Sequence, residues 1–90
     1  MSVVVRLPSV LKVAVGAERV EVVGETVSEV LEAAFAALPN LRRHLLQQDG
    51  SLRPHVLCLV NDEVVPRGGL SKRALVDGDE VLIHQAISGG

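Results

Sequence analysis

The residues with the clearest chemical potential are the last six, which read Gln85-Ala86-Ile87-Ser88-Gly89-Gly90. Gly89 and Gly90 have no Cβ, so their backbone can adopt almost any φ and can enter a channel that side chains would obstruct. A carboxylate at Gly90 would become reactive toward sulfur or amine nucleophiles once a partner enzyme had adenylated it with ATP. Attack by a sulfur donor would leave a thiocarboxylate there. The alternative interpretation is a frayed terminus, because disorder collects at chain ends.

No other set of side chains has the pattern of an active site. His44, His55 and His84 are not spaced as metal ligands, and the single Cys58 adds no ligand pair. Cys58 lies in an apolar run, which predicts a packed and inert thiol. Gly68-Gly69 lacks the following Lys and the strand–loop–helix setting of a phosphate-binding loop. We therefore expect no metal, no bound cofactor and no catalysis by the chain itself.

A group of acidic residues precedes the last apolar run, in the order Asp77-Gly78-Asp79-Glu80. Such a group could be mistaken for an acid/base pair. Asp-Gly-Asp is more typical of a tight turn, since Asp and Gly both favour turn conformations. We predict a turn that leads into the final strand.

A possible docking surface follows from strand alternation. If Val56, Cys58 and Val60 face the core, then their neighbours face outward, because successive side chains of a strand point to opposite faces. The same rule applied to the last and first strands predicts an open apolar patch, and such patches tend to mark interaction sites. Its predicted members are Val4, Leu57, Leu59, Leu82 and His84. Cover by loops or by a second copy of the chain is the alternative to partner docking.

Composition limits the class of protein. Ninety residues, 48% of them hydrophobic, predict one domain over residues 1–90 with a modest core. The formal net charge of −2 and the lone aromatic residue, Phe35, argue against a nucleic-acid partner. No apolar run reaches membrane-spanning length. A single cysteine and the lack of a signal-peptide pattern predict a cytosolic protein.

The elements that must position the tail form a simple series. Ser2–Leu7 and Arg19–Val23 predict a hairpin, with Leu11–Val15 between them as either strand or wide loop. Thr26-Val27-Ser28-Glu29 fits a capping box and starts the main helix, which Pro39-Asn40 ends. The apolar stripe predicted along this helix consists of Val27, Val30, Leu31, Ala34 and Leu38.

The second half of the chain continues the series. A further helical turn at 41–46 precedes a buried strand at 55–60, a short strand at 63–65 and a last strand at 80–86. This order predicts an α+β fold of the β-grasp, ubiquitin-like type, in which a mixed sheet packs on one main helix. The final strand would lie parallel to the first at the centre of the sheet, and residues 85–90 would extend beyond it. A fully extended segment of this length reaches roughly 20 Å.

Several segments together resemble the MoaD/ThiS/CysO family of sulfur-carrier proteins, most closely its CysO-like and long MoaD-like branch. They are Val60-Asn61-Asp62-Glu63-Val64, Gly68-Gly69-Leu70, Asp77-Gly78-Asp79-Glu80-Val81 and Gly89-Gly90, with Leu7-Pro8 and Gly24-Glu25-Thr26 earlier in the chain. The resemblance covers the whole sequence. It departs from the family in one place, where Gln85-Ala86 stands at a position that is often proline.

The resemblance implies a carrier whose terminal glycine is adenylated by a ThiF/MoeB-like ATP-dependent enzyme and then thiocarboxylated. Gly90 would bear the sulfur, while Gly89, Ser88 and Ile87 would allow entry into the partner's site. The sulfur would pass to a biosynthetic enzyme, with cysteine or molybdopterin as the favoured products ahead of thiamin or a thiolated tRNA base. Such a chain is a co-substrate, or the small subunit of a synthase such as molybdopterin synthase. The missing proline predicts a less rigid exit for the tail.

Two alternatives stay open at this point. A ubiquitin-like modifier would use the same activated Gly90, but a lysine amine would attack it. A plain β-grasp interaction domain would leave the tail unused, because a fold does not by itself assign a function.

Overall fold

A computed structural model of the chain describes residues 2–85, and Met1 and residues 86–90 lie outside the described part. Within it, five strands form one mixed sheet in the order β2-β1-β5-β3-β4. The strands are β1 (Ser2–Arg6), β2 (Arg19–Val23), β3 (Val56–Val60), β4 (Glu63–Val65) and β5 (Glu80–Gln85). β1 and β5 run parallel, whereas the other neighbouring pairs are antiparallel. The predicted β-grasp sheet, with the last strand beside the first at its centre, is confirmed.

The main helix, α2 (Val27–Ala37), begins at the predicted cap. The Thr26 Oγ1 accepts a hydrogen bond from the Glu29 amide at 3.2 Å. Glu29 reaches back as expected, but its Oε1 accepts from the amide of Glu25 at 2.9 Å, one residue before the cap. The cap thus satisfies two backbone donors at the start of the helix.

One continuous core lies between α2 and the inner face of the sheet. The alternating residues of the strands meet the apolar stripe of the helix there, as an amphipathic helix requires. Four of the five predicted stripe residues are buried, whereas Leu38 at the end of the helix is half-buried. Phe35 is buried in addition. A short helix, α3 (Leu41–Leu45), contributes two fully buried leucines, Leu41 and Leu45, to this core.

The connection between β1 and β2 differs from the sequence-based expectation. Residues 11–15 were expected as strand or wide loop, and they are helical: a 3-10 turn over Ser9–Leu11 runs into α1 (Lys12–Val15). Gly16 ends this helix with φ +93°, a conformation that glycine adopts without strain. Val13 is 96% exposed, so the alternating valines in this stretch do not mark a buried strand face.

A second, smaller difference lies after β4. Residues 66–69 were expected as loop, and Arg67–Gly69 form a 3-10 turn.

Among residues 2–85, no helix combines the length and the apolar character needed to cross a bilayer.

Candidate functional site

The base of the tail lies at the centre of the sheet. Gln85 ends β5, which has β1 on one side and β3 on the other. Because β1 and β5 are parallel and β3 is antiparallel, Gln85 lies at the end of the sheet where β1 enters its connection and β3 begins. The predicted tail residues Ile87, Ser88, Gly89 and Gly90 lie outside the described residues. Their roles therefore stay predictions.

The open face of the sheet brings four of the five predicted patch residues into two cross-strand pairs. Leu59 of β3 is the register partner of Leu82 of β5, and Leu57 is the partner of His84. Leu57 is 38% exposed, His84 is exposed, and the two other leucines are half-buried. Directly opposed side chains in a sheet contact one another, so each pair forms a single surface unit.

Val4, the fifth predicted member, lies on the same face but beside charged neighbours. Its register partners are Glu80 on β5 and Glu21 on β2. Glu80 also forms an ion pair with Arg6, with 2.7 Å between Oε2 and Nε. The apolar surface is therefore centred on β3 and β5, and a charged border separates it from β2.

Val64 belongs to the apolar surface and was not predicted. It is the register partner of Leu59 and is 57% exposed. The signal was present in the sequence, because a two-residue turn at Asn61-Asp62 pairs Val60 with Glu63 and therefore Leu59 with Val64. Both turn residues have positive φ, 47° and 77°, as that kind of hairpin turn requires. The apolar patch of this face consists of Leu57, Leu59, Val64, Leu82 and His84.

The acidic group before β5 is a turn, as predicted. Gly78 has φ +88°, and the Asp79 amide donates to the Val76 carbonyl at 3.1 Å. The Asp79 carboxylate accepts from the Val76 amide at 2.9 Å and from Asn61 Nδ2 at 2.8 Å. These hydrogen bonds, that from Val76 first, lower the pKa of Asp79 below its usual value, because they stabilise the charged form.

The same turn is tied to the start of the chain. Asp77 Oδ1 accepts from the Ser2 amide at 2.7 Å, and the Gly78 amide donates to the Ser2 carbonyl at 3.2 Å. These contacts fix the start of β5 against the start of β1. The carboxylates of the turn are thus engaged in local structure.

Cys58 is buried and inert, as its apolar surroundings predicted. Its side chain belongs to the core, and desolvation raises the pKa of its thiol to about 11. The thiol is therefore protonated at neutral pH and is a poor nucleophile. Among residues 2–85, no three His, Cys, Asp or Glu side chains are grouped closely enough to hold a metal ion.

A cleft of about 550 Å³ lies on the helix side, between α2 and residues 46–54. Two guanidinium groups line it, and both already have partners. Arg42 bonds to Glu32 at 3.1 Å and stands over the Phe35 ring, while Arg67 donates to backbone carbonyls. The charges in this cleft therefore serve the fold.

Comparison with known proteins adds three findings. A model of the ThiS family matches residues 5–90. The sulfur carrier protein CysO of Mycobacterium tuberculosis is 32% identical over 93 residues, which span all of both chains. The crystal structure of small archaeal modifier protein 1 (SAMP1) from Haloferax volcanii superposes with a TM-score of 0.86 at 30% identity, over the whole of both chains.

A further solved structure holds such a chain in a complex. In the BexX/CysO complex of Amycolatopsis orientalis, the matching chain superposes with a TM-score of 0.82 at 29% identity. The match covers 98% of the present chain and 99% of that one.

Proposed function

The chain belongs to the ThiS family of ubiquitin-like sulfur carriers, and on this premise we propose that its Gly90 carboxylate is the group that carries the sulfur. A ThiF/MoeB-like partner enzyme would transfer AMP from ATP to that carboxylate and release pyrophosphate. A sulfur nucleophile would then attack the acyl carbon and expel AMP, which leaves a thiocarboxylate. The carrier would deliver this sulfur to a biosynthetic enzyme, with cysteine or molybdopterin as the leading products.

The observation that carries the proposal is the position of β5. This strand lies at the centre of the sheet and is paired on both sides, so the base of the tail is fixed by a fully paired strand. The described body supplies no reactive thiol, because Cys58 is buried with a raised pKa. A rigid body with a slim extension suits a co-substrate whose chemistry takes place in another protein's site.

We further propose that the apolar patch is where the activating enzyme docks. The Leu57–His84 pair of the patch lies one residue before the end of β5, so a protein bound there would be close to the base of the tail. Leu57 and Val64 leave apolar area to cover, and burial of such area is the main favourable term in protein association. The CysO chain crystallised with BexX shows that a protein of similar fold forms a complex with a second protein.

Intact mass spectrometry of the protein from its native cell tests the chemistry. The sulfur-carrier hypothesis predicts a species about 16 Da heavier than the free acid, since sulfur replaces one carboxylate oxygen. Incubation with the activating enzyme and ATP should also give ATP–pyrophosphate exchange. An unmodified mass together with no exchange would overturn the proposal.

Two tail variants separate the chemistry from folding. Deletion of Gly90, or Gly89→Phe, should abolish exchange and leave the urea unfolding curve unchanged. Val13→Phe is the matched control, because it adds the same bulky side chain at an exposed position of the body and should leave exchange unchanged. A large loss of stability in either tail variant would contradict the proposed separation between body and tail.

The similarity to SAMP1 favours one second candidate, a protein modifier. The same activated Gly90 would then be attacked by a lysine amine, which forms an isopeptide bond and expels AMP or a carrier thiol. Proteomics distinguishes the two, since a modifier leaves branched peptides that end in Gly89-Gly90 on lysines of other proteins. Such branches in the wild-type cell, absent after deletion of Gly90, would establish the modifier.

A further inference from the structure

The residue from which the tail departs is held by its side chain as well as by its strand. Gln85 is the register partner of Val56, the first residue of β3. Its Nε2 lies 3.3 Å from Nε2 of His55, the residue just before β3. A neutral imidazole with an unprotonated Nε2 accepts this hydrogen bond from the amide. Residues 55–56 thus hold the last residue of β5 by strand pairing and by a side-chain hydrogen bond.

Residues 52–56 are themselves held by Arg67. Its Nη1 donates to the Leu52 carbonyl at 3.0 Å. Its Nη2 donates to the carbonyls of Pro54, at 2.7 Å, and Val56, at 3.0 Å. A planar guanidinium has five donors in fixed directions, so it can hold three carbonyls in one arrangement, whereas an ammonium on a flexible stem does not fix their directions.

The need for this side chain follows from the end of β4. The strand stops at Val65, and Pro66 has no N–H with which to continue the ladder. The Val56 amide already donates to the Arg53 carbonyl at 3.0 Å, so the backbone of this segment folds on itself. The guanidinium therefore replaces the missing edge of the sheet beside Val56.

We infer that Arg67, His55 and Gln85 form a brace that sets the direction in which the tail leaves the sheet. Arg67 fixes the segment before β3, and that segment holds Gln85 through His55 and through strand pairing. They are positioning residues, and the inference rests on the proposed function, because a carboxylate must reach its partner in a defined orientation to react.

The brace also accounts for the departure from the family pattern at Gln85-Ala86. A proline there would restrict the exit from within the backbone, since it fixes its own φ and keeps the preceding residue extended. In this chain, hydrogen bonds of the Arg67 and Gln85 side chains restrict the end of β5 instead. The less rigid exit expected from the missing proline stays a prediction, because Ala86 lies outside the described residues.

Steady-state kinetics of adenylation test the inference. Arg67→Met and Gln85→Leu should each lower kcat about three- to tenfold and leave KM within about twofold, because the apolar patch is untouched while the tail is misdirected. Arg42→Met is the matched control, since it removes a guanidinium on the helix side that bonds to Glu32, and its kinetics should equal those of the wild type. Should Arg67→Met unfold, Arg67→Lys retains the charge without the rigid planar fork and gives the same comparison.

A rescue variant distinguishes positioning from a general structural role. Ala86→Pro introduced into Gln85→Leu should restore kcat, because the proline keeps residue 85 extended without the side-chain bond. A positioning role is overturned if both brace variants keep wild-type kcat, or if they raise KM alone.

Backbone relaxation of the isolated protein makes the test independent of the partner enzyme. The order parameter of the residue 85 amide should fall in Arg67→Met and stay at the wild-type value in Arg42→Met. An unchanged order parameter overturns the brace even if the wild type is adenylated. If the wild-type protein is not adenylated but the order parameter still falls in Arg67→Met, the proposed function is overturned and the brace is supported.

Discussion

The Leu59→Asp variant gives the sharpest test of the docking surface. Leu59 lies at the centre of the apolar patch, between Leu82 on β5 and Val64 on β4. Its side chain faces the open side of the sheet and is only half-buried in the free protein. An aspartate there stays hydrated until a partner covers the patch, so binding should suffer far more than folding.

The size of the effect follows from the exposure of the side chain. Complete burial of a leucine contributes about 1.5–3 kcal/mol. Because the fold already covers part of Leu59, a partner gains only part of this, and Leu59→Ala should weaken binding by about 1 kcal/mol, or about fivefold. An unpaired carboxylate desolvated against Leu82 should cost about 3 kcal/mol or more, which corresponds to a loss of more than about 100-fold in Kd.

Calorimetric titration against the activating enzyme measures the Kd, and urea unfolding measures the stability. We expect the stability of Leu59→Asp to fall by about 1–2 kcal/mol, since the half-buried leucine loses the contacts it already makes and aspartate is a poor strand residue. Val23→Asp is the matched control, because Val23 is 71% exposed but lies on β2 at the opposite edge of the sheet. Equal Kd values for the two variants would refute docking on the apolar patch.

Three further predictions concern the body. Gly24→Ala should lower the free energy of unfolding by about 1–3 kcal/mol, since a Cβ there would lie 2.9 Å from Val30 Cγ2. Gly68→Ala is its control in urea unfolding, because no atom lies within 4 Å of the added carbon. The pKa of Asp79 is lowered in the folded protein, so the unfolded chain binds the proton first as the pH falls. The free energy of unfolding should therefore decline as the pH drops past 3.8, the ordinary pKa of the group. Asp79→Asn should show less of this decline in thermal melts between about pH 3 and 7. Cys58, with a pKa of about 11, should react with iodoacetamide at pH 8 only at the rate of global unfolding, and fast labelling of the native state would contradict its burial.

Local chemistry made much of the architecture predictable. The capping box at Thr26, the turn at Gly78 and the apolar run through Cys58 all depend on residues close together in the chain. Each of these predictions is confirmed, since caps, turns and strand alternation follow from the conformational preferences of a few adjacent residues. The stretch at 11–15 was predicted wrongly because its alternating apolar residues do not share one environment. Leu11 is buried, Val13 is exposed and Val15 is half-buried, so their spacing did not mark a strand face.

The composition of the patch was only partly predictable for a different reason. Alternation identifies which residues of a strand face outward, but the register between strands decides which of them become neighbours. The short turn between β3 and β4 set the register that puts Val64 beside Leu59, whereas the pairing of β1 with β5, strands far apart in the chain, placed Val4 beside Glu80. No periodicity within one strand contains this information.

The sequence by itself determined the kind of protein: a small grasp-type body, turns that frame its last strand, an inert thiol and a terminal glycine pair proposed to carry sulfur. Only the tertiary structure decided how the tail is held. His55 and Gln85 are 30 residues apart, and Arg67 reaches carbonyls 11 to 15 residues earlier in the chain. Such contacts exist only after β3, β4 and β5 have paired, because hydrogen bonds depend on distances of about 3 Å that sequence spacing does not fix.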